Sequence, residues 1–408
     1  MSVESRKARV GSRGHYHGLF VNTPDQFEGT FNVTFRHRVL FERHALGTGT
    51  ALAEVLGAPN GEPVATLAVL DDGLVHVVPE LPGIVEQWFD RHASIASLTT
   101  RPMVLPGSER AKHGTGPVAE PVVEAIRSGG LCRRSNILAI GGGALLDAVG
   151  LGASLAHRGV RLVRMPTTTL SQGDAGIGVK NGVNIPGVTG GKNLLGTFAV
   201  PAGVVNDTTL LTTLDDTHWR GGLAESIKVA LVKDASLLES VESNAVELAN
   251  RDLDCMERVL KTTAKLHLRH ITEGGDPFES ELARPLDFGH WAAHELEARS
   301  DWSVPHGEAV AMGMVIDLQL GEAAGLTEPG TADRIESLLR QLGFLQTSCC
   351  GVTGVDLLHG LEHFRQHLGG KLTICMIQAP GTAIDVHDVD MAAASTAIDA
   401  VLGALPRG

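Results

Sequence analysis

The sequence predicts an α/β first half and a mainly α-helical second half, meeting near residue 208. Two patterns and one cluster support this. Before residue 208 the apolar runs are short and end in acidic or glycine-rich turns, as strands do. From THWRGGLAESIKVALVKDASLLESVE (217–242) onward, apolar residues recur with the 3.6-residue period of helices. Within that half, DFGHWAAHELEARSDWSVPHGE (287–308) gathers three histidines among carboxylates. A chain of 408 residues with 43% hydrophobic content can bury a large core and is expected to divide into two domains.

The polar, basic opening MSVESRKARVGSRGHYHG has no apolar signal segment, and residues 1–25 are expected to be flexible. TFNVTFRHRVLFER (30–43) alternates in the period of a half-buried strand. ATLAVLDDGLV (65–75) reads as an apolar strand ending in acidic turn residues, and PMVLPGSERAKHG (102–114) as a short strand running into a loop with Glu109 and Lys112. Both set polar groups at a strand's carboxyl end, where open α/β sheets bind ligands. NILAIGGGALLDAVGLGASLAHRG (136–159) reads as a buried strand, a tight turn from Gly141 to Gly143, and a helix. The N–H groups at that helix start would face an anion such as a pyrophosphate. A triple glycine serves any sharp strand-to-helix turn equally, and the spacing is not the GxGxxG of the dinucleotide fingerprint. VRLVRMPTTTLSQGDAGIGVKNGVN (160–184) adds a strand, hydroxyls at Thr167 and Thr168, and a glycine-rich loop carrying Asp174 and Lys180. GGKNLLGTF (190–198) adds Lys192 and Asn193.

In the second half, Glu225 and Lys228 lie three apart on an apolar helix and can both face inward. A buried carboxylate and ammonium need either each other or a ligand. Further helices are expected at 253–270, 288–299, 305–325, 330–342 and 354–368, then a strand pair over KLTICMIQAPGTAIDVH (371–387) and a closing helix. His290 and His294 stand at i and i+4 on one helix face, and His306 opens the next apolar run, so two helix starts can aim nitrogen ligands at one point. Any one of these histidines reads equally well as an ordinary core or surface group. The three together favour a metal, with one more ligand coming from elsewhere.

The net charge of −13 and pI near 5.7 exclude a sequence-independent grip on nucleic acid, which needs a basic surface, and point to small-molecule partners. Five cysteines (Cys132, Cys255, Cys349, Cys350 and Cys375) show no CxxC spacing, so they predict neither a disulfide framework nor a cysteine zinc knuckle. No apolar run reaches the roughly 18 residues of a membrane span, so a cytoplasmic protein with no membrane partner is expected.

Taken jointly, PGSERAK, GGGALLD, RGVRLVRMPTT, DAGIGVK, GGKNLLGTF, LAESIK, DFGHWAAH and PHGEAV resemble the sugar phosphate cyclase superfamily, whose best-known member is 3-dehydroquinate synthase. The resemblance covers roughly residues 65–390, in family order and with near-family spacing. It implies a dehydroquinate synthase-like fold: an α/β NAD-binding domain over 26–207 and a mainly helical metal- and substrate-binding domain over 208–408. It implies zinc, with cobalt or another divalent ion as substitutes, held by Glu225, His290 and His306. It places NAD against Asp71, Glu109, Lys112, Gly142, Gly143, Ala144, Asp147, Thr167, Thr168 and Leu170. The implied substrate pocket takes Asp174, Lys180, Lys192, Asn193, Lys228, Arg284, Asp287, His294 and Lys371, with Arg158 contributed across a homodimer interface. Of these, Lys228, Asp174, His294 and Lys180 are the implied catalytic groups.

The implied chemistry is a redox-neutral cyclisation of a sugar phosphate: transient oxidation by NAD, loss of phosphate, return of the hydride and an intramolecular aldol closure. Two departures bear on the substrate. Dehydroquinate synthases usually carry RxLLNFGH, whereas this chain has ARPLDFGH, so Asp287 replaces an Asn and Arg284 sits one residue closer to it. An anion there makes a poor neighbour for a substrate carboxylate. The form RPLDFGH is more similar to the cyclases acting on sedoheptulose 7-phosphate, which has no carboxylate, although His294 is commonly absent from those enzymes. Two rival readings remain, a 3-dehydroquinate synthase proper and a metal-dependent NAD alcohol dehydrogenase of the glycerol type.

Overall fold

The computed structural model describes residues 20–23, 26–29, 31–186, 192–274, 278, 285–349, 351–367 and 371–406. It separates into two compact units, Met1–His37 and Arg38–Gly408. In the first, Phe20–Thr23 pairs antiparallel with Gln26–Gly29, so the end of the stretch expected to be flexible forms half of a hairpin. The strand expected over 30–43 shortens to Val39–Phe41 in the second unit. Phe31, Val33 and Phe35 alternate as foreseen but are 75%, 62% and 61% exposed, so their alternation buries no face. Without that burial the pattern does not hold a strand.

The second unit is built on a seven-stranded sheet. Its strands run Val39–Phe41, Gly203–Asn206, Arg161–Pro166, Asn136–Gly141, Val64–Asp71 and Ala96–Leu98 in spatial order, and Met103–Leu105 also pairs with Val64–Asp71. All these pairings are parallel. Parallel strands need helices on both faces. Leu145, Val149, Val122 and Ile126 cover one face, while Leu52, Val85, Trp88 and Phe89 cover the other. Asn136–Gly141 is therefore buried at every residue, which is why its sequence shows no alternation. Register sets Leu70 beside Ile140 and Gly141 beside Pro166, so Asp71, Gly141 and Pro166 end at one edge of the sheet.

The remainder is helical. Asp216–Lys233, Leu253–Glu273, His290–Arg299, His306–Ala323, Thr331–Gln341, Gly354–His367 and Met391–Gly403 lie close to the expected helices, with the strand pair Ile374–Ala379 and Thr382–Val386 between the last two. The run expected to continue through 242 breaks at Asp234, whose side chain accepts from Ser236 N and starts a new helix, Ala235–Ser243. This cap satisfies an N–H that the helix cannot. His306–Ala323 is the central helix, buried nearly all round among Leu223, Ile227, Trp291 and Leu339. No helix among the described residues is long and apolar enough to cross a membrane.

Candidate active site

Two glycine contacts bring the helices of the site together. A Cβ on Gly307 would lie 2.6 Å from Gly221 Cα, so Asp216–Lys233 and the start of His306–Ala323 meet backbone to backbone. A Cβ on Gly313 would lie 2.0 Å from the carbonyl oxygen of Gly289, which itself has φ +76°. Gly289 thus makes the left-handed turn that launches the helix His290–Arg299. Asp317 secures the turn, accepting from Gly289 N at 2.8 Å and from Trp291 Nε1 at 2.7 Å. Burial pushes Asp317 up to about 7.

These contacts converge on Glu225, His290 and His306, whose ligand atoms all lie within 4.8 Å of one another. Glu225 Oε1 is 3.3 Å from His290 Nε2 and 3.1 Å from His306 Nε2. The other nitrogen of each ring is already engaged. His290 Nδ1 is 3.0 Å from the carbonyl oxygen of Phe288, and His306 Nδ1 is 3.1 Å from Glu297 Oε2. With Nδ1 engaged on both rings, Nε2 is the nitrogen that each ring turns toward Glu225, and the one that a metal bound there would take. Two imidazoles and one carboxylate suit zinc with a position left open, so the donor set fits the ion.

Around this cluster the charges alternate. Lys228 Nζ pairs with Glu225 Oε2, and both side chains are buried. Burial alone would lower Lys228, but the carboxylates of Glu225 and Asp174 outweigh it and hold the ammonium charged. Asp174 Oδ1 meets His267 Nδ1 at 2.8 Å. Burial opposes ionisation of Asp174, yet the charges of His267 and Lys228 bring it below the ordinary carboxylate value. His306 is likewise disfavoured by burial and raised to about 9 by Glu297 and Glu225. His294 packs edge-on to His290 with ring centroids 5.3 Å apart. Burial, then the charges of Lys192 and His290, push it well below the usual histidine value, which leaves a neutral imidazole.

The residues expected to hold a dinucleotide line the carboxyl edge of the sheet. The helix Gly143–Leu155 has Gly142 at its cap and no side-chain cap, so the first-turn N–H groups of Gly143 and Ala144 are not engaged by a capping side chain. Such N–H groups suit a pyrophosphate. Asp71 accepts from Gly73 N at 2.9 Å and Gly142 N at 3.4 Å; burial raises it. Lys112 Nζ reaches Asp147 Oδ2 at 2.6 Å and Asn193 Oδ1 at 2.9 Å, joining two expected nucleotide residues to one expected substrate residue. Asn184 Nδ2 donates to Glu109 Oε2 at 3.1 Å and its Oδ1 accepts from Asn193 N at 2.9 Å. Thr167 N donates to Gly141 O, the Thr168 and Ser171 hydroxyls meet at 2.8 Å, and Leu170 precedes the turn Ser171–Ala175 that carries Asp174.

Lys192 is drawn inward to Glu297 Oε2 at 2.5 Å. Lys180 opens the hairpin strand Lys180–Val183 and is exposed, as is Lys371 just before Ile374–Ala379. Asp287 lies in the short turn Pro285–Asp287, and its charge helps hold Lys228 ionised. Arg158 is exposed at the end of the chain's return to the start of Arg161–Pro166, the edge of the sheet opposite Gly142. A single chain therefore does not bring Arg158 to the cluster. Arg284 and Cys350 lie outside the described residues.

Sequence reasoning missed four residues. Glu297 stands seven residues after His290, on the same helix face, and that spacing could have found it. Asp317 is a lone carboxylate in the apolar run MVIDLQL, another legible signal. Arg164 is wholly buried and donates to the carbonyl oxygens of Gly176, Gly178 and Lys180, ordering the loop of Asp174 and Lys180. His267 carried no local signal, because its partner is 93 residues away in sequence, the separation of 267 and 174.

Residues 102–221 match the family described as 3-dehydroquinate synthase N-terminal, and residues 222–361 the family described as 3-dehydroquinate synthase C-terminal. A 2-epi-valiolone synthase from Actinosynnema mirum is 36% identical over 263 residues, covering 64% of this chain and 68% of that protein. A 3-dehydroquinate synthase from Dictyoglomus turgidum is 34% identical over 259 residues, covering 63% and 71% respectively. Among solved structures, a 2-epi-5-epi-valiolone synthase from Streptomyces hygroscopicus subsp. jinggangensis 5008, with NAD+ and Zn2+ bound, aligns with a TM-score of 0.80 at 29% identity. That alignment covers 91% of this chain and 98% of the solved one.

Proposed function

Because the chain belongs to the sugar phosphate cyclase superfamily, we propose that it converts sedoheptulose 7-phosphate, a seven-carbon ketose phosphate, to a cyclitol with release of phosphate. The observation that carries the reaction class is the joining of the Glu225, His290 and His306 cluster to Lys228 and Asp174 in one array. A metal set alone would serve an alcohol dehydrogenase. An ammonium, a carboxylate and a neutral imidazole beside it supply the proton transfers that elimination and ring closure also need. In this reading the α/β part, residues 26–207, holds NAD, and residues 208–408 hold the metal and most of the substrate.

When bound, NAD supplies a reversible hydride acceptor and zinc supplies Lewis acidity toward the substrate's hydroxyl and carbonyl oxygens. Lys228 holds a proton on Nζ and can lend it to a developing oxyanion. Asp174, oriented by His267, accepts a hydroxyl proton. His294, neutral, offers one ring N–H as a donor and one bare ring nitrogen as an acceptor to the substrate's hydroxyls. Lys180, Asn193 and Lys371 orient the phosphate, and Arg158 of a second copy completes the pocket in a cytoplasmic homodimer.

The choice of sedoheptulose 7-phosphate rests on Asp287 and on the likeness to two valiolone synthases. A carboxylate at 287 beside a substrate carboxylate costs on the order of 1 kcal/mol or more at an effective dielectric near 20. The test offers purified enzyme, with NAD and zinc, equal amounts of sedoheptulose 7-phosphate and the seven-carbon acid phosphate that dehydroquinate synthases use. The cyclitol is then identified by mass. Turnover of the sugar phosphate with no net NADH is expected, and Asp287→Asn should shift preference toward the acid or lower turnover. Exclusive turnover of the acid would make this a 3-dehydroquinate synthase, and steady NADH accumulation would make it a dehydrogenase.

A further inference from the structure

We propose that Glu297 is a positioning residue that couples the Lys192 segment to the metal site through His306. The inference rests on the metal reading above. Glu297 Oε2 receives both His306 Nδ1, at 3.1 Å, and Lys192 Nζ, at 2.5 Å. Its side chain is only 3% exposed, so these two partners and not solvent decide its placement. Lys192 is held from a second side as well, with Nζ 5.4 Å from the centre of the Trp302 ring. Trp302 and Asp301 adopt φ of +63° and +50°, left-handed conformations that residues other than glycine rarely adopt. Trp302 N in turn donates to the backbone carbonyl of Glu297 at 2.9 Å. The loop between the two histidine-bearing helices is thus shaped to keep Lys192 against Glu297.

The consequence concerns His306. With Nδ1 held by Glu297, Nε2 is the ring nitrogen that faces Glu225 and His290, where a bound cation would sit. Lys192, bound to the same Oε2, holds Glu297 in place. Lys192 therefore acts on the metal site in the absence of any substrate, which a lysine serving only to bind phosphate would not do.

Zinc alone, titrated into the full-length protein by calorimetry or chelator competition, tests this without reference to turnover. Outer-shell partners of metal-bound histidine are worth roughly 10–100-fold in affinity. Glu297→Gln should weaken zinc by that amount, and Lys192→Met should also weaken it, by less. The double variant should bind zinc no worse than Glu297→Gln alone, since both changes act on one link, and it leaves no unpaired buried charge to unfold the protein. Zinc affinity within twofold of wild type in both single variants would overturn the proposal. Wild-type affinity in Lys192→Met with loss only in Glu297→Gln would detach Lys192 from the link and overturn the coupling. Failure of the wild-type protein itself to bind zinc would instead strike the underlying metal reading.

Discussion

At the scale of single residues, the site is a chain of alternating basic and acidic side chains: His267, Asp174, Lys228, Glu225, His306, Glu297 and Lys192. Each is stabilised by the next, since a buried charge without a partner costs several kcal/mol. Glu225 is the hub, because burial disfavours its charge while Lys228, His290 and His306 together bring it well below the ordinary carboxylate value. A divalent cation held by Glu225 and the two imidazoles would add to that compensation. His290→Ala and His306→Ala should each abolish near-stoichiometric zinc in metal analysis, an effect larger than the roughly 10–100-fold of an outer-shell loss. Full retention of zinc in both variants would rule the site out.

At the scale of elements, the cluster depends on helices that approach more closely than side chains allow. Of the two glycine crossings at the cluster, Gly313 is the tighter, since the nearest atom to an added Cβ is the backbone oxygen of Gly289 at 2.0 Å. Neither helix can yield without moving the turn that aims His290, and Asp317 ties that turn down. Gly313→Ala should therefore destabilise the protein by about 1–3 kcal/mol, the usual cost of overpacking a core. It should also weaken zinc. Urea unfolding and zinc titration of the same variant check both, and wild-type behaviour in the two would show that the helices are free to separate.

At the scale of the molecule, Glu257 fastens the sheet to the helices. From Leu253–Glu273 it accepts from Arg43 at 2.7 Å, just past the strand Val39–Phe41, and from Thr208 and Lys261 at 2.6 Å each. Partial burial acts to raise its pKa, but the hydrogen bonds from Lys261, Thr208 and Arg43 outweigh that and bring it from 4.5 to about 2. A depressed carboxylate contributes stability that is full above its unfolded value and is lost as pH falls through its folded value. Its contribution is therefore complete above pH 4.5 and disappears toward pH 2. Glu257→Gln should lower the melting temperature at pH 7 while the difference from wild type shrinks on acidification to pH 2–3. A difference that does not change with pH would mean that the carboxylate is not ionised by these partners.

The periods and motifs were local, and the sequence by itself determined what depends on neighbours along the chain. These were the apolar strands over 65–75, 102–105, 136–141 and 160–166, the Gly142 turn, most of the helices from residue 216 onward and the i, i+4 placing of His290 and His294. The third nitrogen and the carboxylate joined them through the resemblance of LAESIK and PHGEAV, not through spacing. Only the tertiary structure decided which charges meet. Lys192 with Glu297 and Asp174 with His267 are pairs from distant segments, brought together by glycine-mediated helix crossings and by the buried Arg164 under the loop. An ion pair is a statement about distance in space. Alternation over 30–43 failed for the same reason, because a strand needs a partner and a face to bury, and neither is encoded in its own residues.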